Sequence, residues 1–157
     1  MKKKNVFWFS SVAALIIGFF FIMRFLMRSA ENTLSDLKIP AGFPTRTGMI
    51  VIWGFLFILW GAGSFFVYSV KLSERRKRNI FLNSLILEIG IFMWNYMVFG
   101  AVNLQGALAV CIAILLLGAV VWFMYLLTHR YGGYLFTPMM IWILYLLYLS
   151  ISFTVNN

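Results

Sequence analysis

The chain has 157 residues, of which 63% are hydrophobic and 11% charged, and its formal net charge is +9. A soluble domain carries about 25% charged residues, so this composition excludes an ordinary soluble enzyme and points to lipid as the solvent. Nucleic-acid binding is excluded too, because the basic residues stand at the ends of apolar stretches, where topology signals sit.

The expected fold is an all-α integral membrane protein, one domain over residues 1–157 with a five transmembrane helix bundle. Spans of about 20 residues leave room only for loops and tails. The first span covers 5–27, behind Lys2, Lys3 and Lys4. A signal peptide begins the same way, but a cut after Ala30 would put Arg28 at the usual small-residue site, so the run is read as a span. Residues 29–47 form the longest loop. Pro40, Gly42 and Pro44 mark it as non-helical, with a short interfacial turn expected from Leu34 to Leu37. The second span covers 48–70 and is followed by a basic loop from Lys71 to Arg78. The third covers 79–100, and a turn from Gly100 to Gly106 leads to the fourth at 107–128. A turn from His129 to Gly133 precedes the fifth span at 134–153.

Lipid offers no partners to free backbone groups, so every span must be helical. Loops this short make neighbouring helices antiparallel. One side collects Lys2, Lys3, Lys4, Lys71, Arg75, Arg76, Lys77, Arg78 and Arg130 against Glu74. The other holds Arg24, Arg28, Lys38 and Arg46 against Glu31 and Asp36. The excess predicts a cytoplasmic N-terminus and an outer C-terminus. The basic N-terminus, with no convincing cleavable signal, points to a bacterial cytoplasmic membrane. The Arg75–Arg78 cluster reads first as a topology anchor and second as a contact for anionic membrane lipid.

No catalytic constellation is visible: there is one histidine, one cysteine and four acids, three of the acids in loops. His129 has no neighbour at metal-ligand spacing, so no metal site is expected, and Cys111 reads as a small packing residue. The chain is therefore not read as an enzyme, and no cofactor is required. Glu88 stands apart, about ten residues into the third span, where a charge costs at least about 2.5 kcal/mol. It must be protonated, paired or facing a cavity. At helical spacing it shares a face with Phe92, Asn95 and Phe99. It either lines an internal site or is a neutral carboxyl hydrogen-bonded to a neighbouring helix.

Three aromatic stripes recur at helical spacing: Trp53, Phe57, Trp60 and Ser64; then Gly118, Trp122, Tyr125 and His129; then Pro138, Trp142, Tyr145 and Leu149. Such stripes are usually packing or interface anchors. Trp53 and Trp142 sit deeper than a headgroup belt requires, however, and a buried indole N–H needs a partner. Helices presenting aromatic faces to one another enclose a flat hydrophobic ligand. Pro138 frees a carbonyl one turn earlier, which would kink and locally widen the bundle.

The second span reads Ile52-Trp53, Leu56-Phe57, Gly61, Gly63 and Ser64-Phe65. The third ends on Trp94, Val98, Phe99 and Gly100, and the fifth carries Pro138, Trp142 and Tyr145. In joint order and spacing these residues resemble the TspO/MBR family of translocator and tryptophan-rich sensory proteins, over about two thirds of the chain. The resemblance implies a five-helix bundle binding a porphyrin or other tetrapyrrole, or a similar flat hydrophobic small molecule, in a cavity between helices capped by the first loop. The role implied is sensor, carrier or scavenger. Trp53 and Trp142 match the family's cavity tryptophans. Phe57, Asn95 and Tyr145 complete the expected ligand-binding set, with Asn95 or Glu88 at the ligand's polar edge. Family members also form homodimers, and Gly106, Ala109, Ala113 and Gly118 would permit close helix contact.

The chain departs from the family pattern at several positions. Ile91 replaces an Asn, Asn95-Tyr96 replaces a Pro pair, Ser150 replaces an Asn near the C-terminus, and no Lys or Arg follows the last tyrosines. Two rival readings remain: a ligand-free membrane scaffold or regulatory subunit, and a proton-coupled small-molecule exporter using Glu88.

Overall fold

A computed structural model of the chain describes residues 6–29 and 38–157, without the side chains of residues 25–29. Five helices follow one another: α1 Val6–Ser29, α2 Arg46–Ser69, α3 Glu74–Phe99, α4 Leu104–Thr128 and α5 Arg130–Asn156. Each is long and apolar enough to cross a membrane, and no strand occurs among the described residues. The protein is thus an all-helical integral membrane bundle. Lys2, Lys3 and Lys4, the turn expected from Leu34 to Leu37, and the side chains of Arg28, Glu31 and Asp36 lie outside the described residues.

Capping residues explain where the helices begin, and they correct three expected loops. The Ser73 hydroxyl accepts a hydrogen bond from the Arg76 N–H at 3.3 Å, so α3 starts at Glu74 and the basic run from Arg75 to Arg78 is helical. Asn103 Oδ1 accepts from the Gly106 N–H at 2.8 Å and starts α4 at Leu104, ahead of the expected 107. The expected turn from His129 to Gly133 shrinks to His129 alone, whose extended backbone (φ −156°, ψ 119°) separates α4 from α5. Gly132 and Gly133 are therefore helical and buried. Their sequence reads as a turn because glycine is a weak helix former, but a lipid-filled surrounding removes the alternative of a solvated loop. Thr45 caps α2 through a hydrogen bond from the Gly48 N–H at 3.1 Å.

The helices close into a ring in the order α1, α2, α5, α4, α3, back to α1. Where α2 meets α5, the chains approach through glycine. A Cβ added to Gly63 would lie 2.9 Å from the Gly132 carbonyl oxygen, so both positions exclude any side chain. Pro138 lies inside α5, which runs through it without interruption. Gly118 packs within the protomer, against Met140 and Ile143 of α5, while Ala109 and Ala113 are exposed.

The described end of the first loop folds inward over the ring. Pro40 to Phe43 make a tight turn closed by a Phe43 N–H to Pro40 C=O bond at 3.2 Å, and Gly42 takes the positive φ of 82° that this turn needs. Lys38 is tied to Asn157 at the end of α5 by bonds of 2.7 and 3.2 Å. Phe43 packs against Phe99 and Phe153, at centroid distances of 6.3 and 5.5 Å.

Candidate ligand site inside the helix ring

Inside the ring an aromatic column descends from the first loop. At its head, the Tyr145 hydroxyl donates to the Gly42 carbonyl at 2.6 Å. Tyr145 stands 5.1 Å from Trp142, and Trp142 meets Trp53 edge to face at 6.1 Å and 88°. Trp53 continues to Phe57 at 5.7 Å, Phe57 to Trp60 at 6.1 Å, and Trp60 to Phe136 at 5.1 Å. Four of the expected site residues, Trp53, Trp142, Phe57 and Tyr145, are therefore brought together.

Buried polar groups of the column and of α3 are unevenly satisfied. Trp53 is fully buried, and its N–H has no hydrogen-bond partner; the Trp142 N–H is buried and unpartnered as well. Asn95, also fully buried, donates to the Ile91 carbonyl at 2.9 Å but leaves its Oδ1 without a partner. A buried amide or indole left unpaired costs about 1–3 kcal/mol, so these two donors and one acceptor call for polar groups the protein itself does not supply.

The floor of the column is fully bonded. The Trp60 N–H donates to the Tyr125 hydroxyl at 3.1 Å, and the Ser64 hydroxyl donates to the Trp60 carbonyl at 2.9 Å. The Tyr125 hydroxyl and Ser64 Oγ stand 2.9 Å apart. Since the Ser64 proton already goes to Trp60, Tyr125 must be the donor in that pair, and the three groups close a cycle. Ser84 Oγ adds a contact at 3.4 Å from α3. This network joins α2, α3 and α4 and escaped the sequence reading. A tyrosine mid-span and a serine one turn after a tryptophan signal buried hydroxyls, but only the fold pairs them.

Trp94, outside the expected set, bonds Ser150 on α5 through its N–H at 2.8 Å. Ser150 thus supplies a polar contact between α5 and α3 there. Trp122, which shares a stripe with Tyr125 in the sequence, is only partly buried and donates to Thr137 at 3.1 Å. His129 stacks on Phe66 at 5.3 Å, and no group of three potential metal ligands occurs among the described residues.

Glu88 shares no space with Trp53 or Trp142, although it borders a small void together with Trp60. It faces Gly18 of α1, where an added Cβ would fall on its carboxyl group. Three spaces border α1. A groove of about 500 Å³ between α1 and α2 is lined by Trp8, Leu15, Phe19 and Phe57. A second groove, of about 340 Å³ between α1 and α3, is lined by Gly18, Phe21, Glu88 and Phe92. A void of about 10 Å³ between them touches Ser11, Ser64, Ser84 and Glu88. Trp53 and Trp142 line none of these spaces.

The sequence profile of the TspO/MBR family matches residues 10–155. The chain belongs to the TspO/MBR family. The match spans all five helices, including α1, where the sequence motifs were silent. No curated protein sequence matches the chain closely. In this TspO/MBR bundle the tryptophans expected to face the cavity, Trp53 and Trp142, are carried by α2 and α5.

Proposed function

We propose that this TspO/MBR protein binds a flat hydrophobic ligand, a porphyrin or related tetrapyrrole, between its helices at Trp53 and Trp142. It would act as a sensor, carrier or scavenger. The observation that carries this reading is the pair of buried, unpartnered indole N–H groups at the edge-to-face contact of Trp53 and Trp142. Acceptors on a macrocycle would take those donors, and Phe57 and Tyr145 would extend the stacking surface. Asn95 Oδ1 would accept from the ligand's polar edge. The two rings fill the space between them, so a ligand enters by parting them, with the loop held at Gly42 by Tyr145 lifting as a cap.

On the same reading, the turn between α2 and α3 faces the cytoplasm of a bacterium, because it adjoins Lys71 and Arg75–Arg78. A homodimer would use the exposed face of α4 around Ala109 and Ala113.

The test is a titration of the purified protein with protoporphyrin, following tryptophan quenching, beside Trp53→Phe and Trp142→Phe. Saturable binding is expected, weakened about tenfold or more in either variant by loss of an N–H bond and ring area. Equal or linear quenching in all three folded proteins rejects the reading. The ligand-free scaffold is then favoured, for which the close aromatic packing speaks, and Trp142→Phe would change stability alone.

A further inference from the structure

Glu88 on α3 is 7% exposed, and its carboxyl makes no hydrogen bond or ion pair with any described residue. It opens on the groove between α1 and α3, whose other walls are apolar: Ala14, Ile17, Phe21, Leu85, Ile89 and Phe92. Phe21 and Phe92 meet edge to face across this groove at 5.6 Å and 72°. Ile17, Phe21 and Ile89 are exposed on the outer surface of the ring, so the groove opens toward lipid. Gly18 makes room for the carboxyl, since a Cβ there would collide with it.

We propose that this groove is a second site, distinct from the aromatic column, that takes a lipophilic ammonium ion from the bilayer with Glu88 as counter-ion. Three features select that chemistry. A carboxyl deep in the membrane must be neutral or joined by a cation, so a cation is the partner that can hold it ionised. Two phenylalanine rings line the groove with the carboxyl, and an aromatic ring face attracts cations and repels anions. The apolar walls, at about 340 Å³, hold the hydrophobic body of an amine and offer nothing to a hydrophilic one. The neighbouring groove between α1 and α2 has no ionisable group among its lining residues and serves as an internal contrast. This inference goes beyond the porphyrin reading and survives its failure, because it uses neither Trp53 nor Trp142.

The experiment places the full chain in nanodiscs of phosphatidylcholine and titrates two fluorescent probes of equal shape, pyrenemethylammonium and pyrenemethanol, with empty nanodiscs as blank. Saturable binding of the ammonium probe is expected, about tenfold or more tighter than that of the alcohol. Glu88→Gln should bring the two probes to near parity, and Ile17→Trp, which obstructs the groove from the lipid side, should weaken the ammonium probe. The proposal is overturned if the parent protein binds both probes alike, or if Glu88→Gln keeps the preference. Should Glu88→Gln fail to fold, the ratio in the parent and its response to Ile17→Trp decide the matter.

Discussion

The two flanks of the ring hold their helices by different means. Between α2, α4 and α5, backbones approach through Gly63 and Gly132, and the buried hydroxyls and indole of Ser64, Tyr125 and Trp60 satisfy one another. Along α1, only Ser11, Leu15 and Ile22 are buried among the described side chains, grooves open on both sides, and Ser11 Oγ has no partner. Apolar composition is shared by both flanks. Lipid solvates an apolar side chain as well as a protein core does, so hydrophobicity alone cannot pull α1 in; close packing and hydrogen bonds must do so. The tight flank has both, and α1 has few of either. Close packing therefore resides on one flank, and open grooves on the other.

The sharpest way to break this contrast uses two glycines two residues apart on α2. Gly63→Ala drives a methyl to within 2.9 Å of the Gly132 carbonyl, where only backbone can yield. It should cost roughly 2–3 kcal/mol, read as a fall in the thermal unfolding midpoint in detergent. Gly61→Ala faces α1, and its methyl would meet Leu15 and Val12 at 3.9 Å, an ordinary contact. That variant should be neutral or stabilising by up to about 1 kcal/mol through helix propensity. Equal effects at the two positions would mean that α1 and α5 pack equally closely on α2.

Hydroxyl removal gives an intermediate effect. Tyr125→Phe strands the buried Trp60 N–H and removes the donor to Ser64, so a loss of about 2 kcal/mol is expected in the same measurement. Ser11→Ala removes a hydroxyl that lies near the Tyr68 hydroxyl without closing a well-formed hydrogen bond, and should stay within about 0.5 kcal/mol of the parent. A small effect of the opposite sign concerns the turn between α3 and α4, where Val102 holds a φ of 51° that a β-branched residue rarely adopts. Val102→Gly should stabilise by about 1 kcal/mol or less, because relief of strain is partly offset by the added freedom of the unfolded chain. A loss of stability there would show that the Val102 side chain contributes packing that outweighs its strain.

Much of the candidate column was legible beforehand. Trp53, Phe57 and Trp60 repeat at helical spacing, so they must share a face, and depth in the span marks Trp53 and Trp142 as more than interface anchors. Their mutual contact was not legible, because it joins helices 89 residues apart in number and depends on ring closure of the bundle. Glu88 and Asn95 show the limit of a face argument. Seven residues apart, they share one stripe of α3, yet the stripe is wide enough for Glu88 to turn toward α1 while Asn95 bonds back to its own helix.

The sequence alone determined that the chain spans a membrane five times as helices, because unbroken apolar runs in lipid leave no other way to satisfy the backbone. It also carried the family, through tryptophans, glycines and a proline whose order along the chain is itself the signal. Only the tertiary structure decided which polar groups are matched and which are left over. Hydrogen bonds between helices depend on rotation about each helix axis and on how close two backbones come. Those quantities are set by all five helices together, and they separate a bonded Trp60 from an unpartnered Trp53 two turns away.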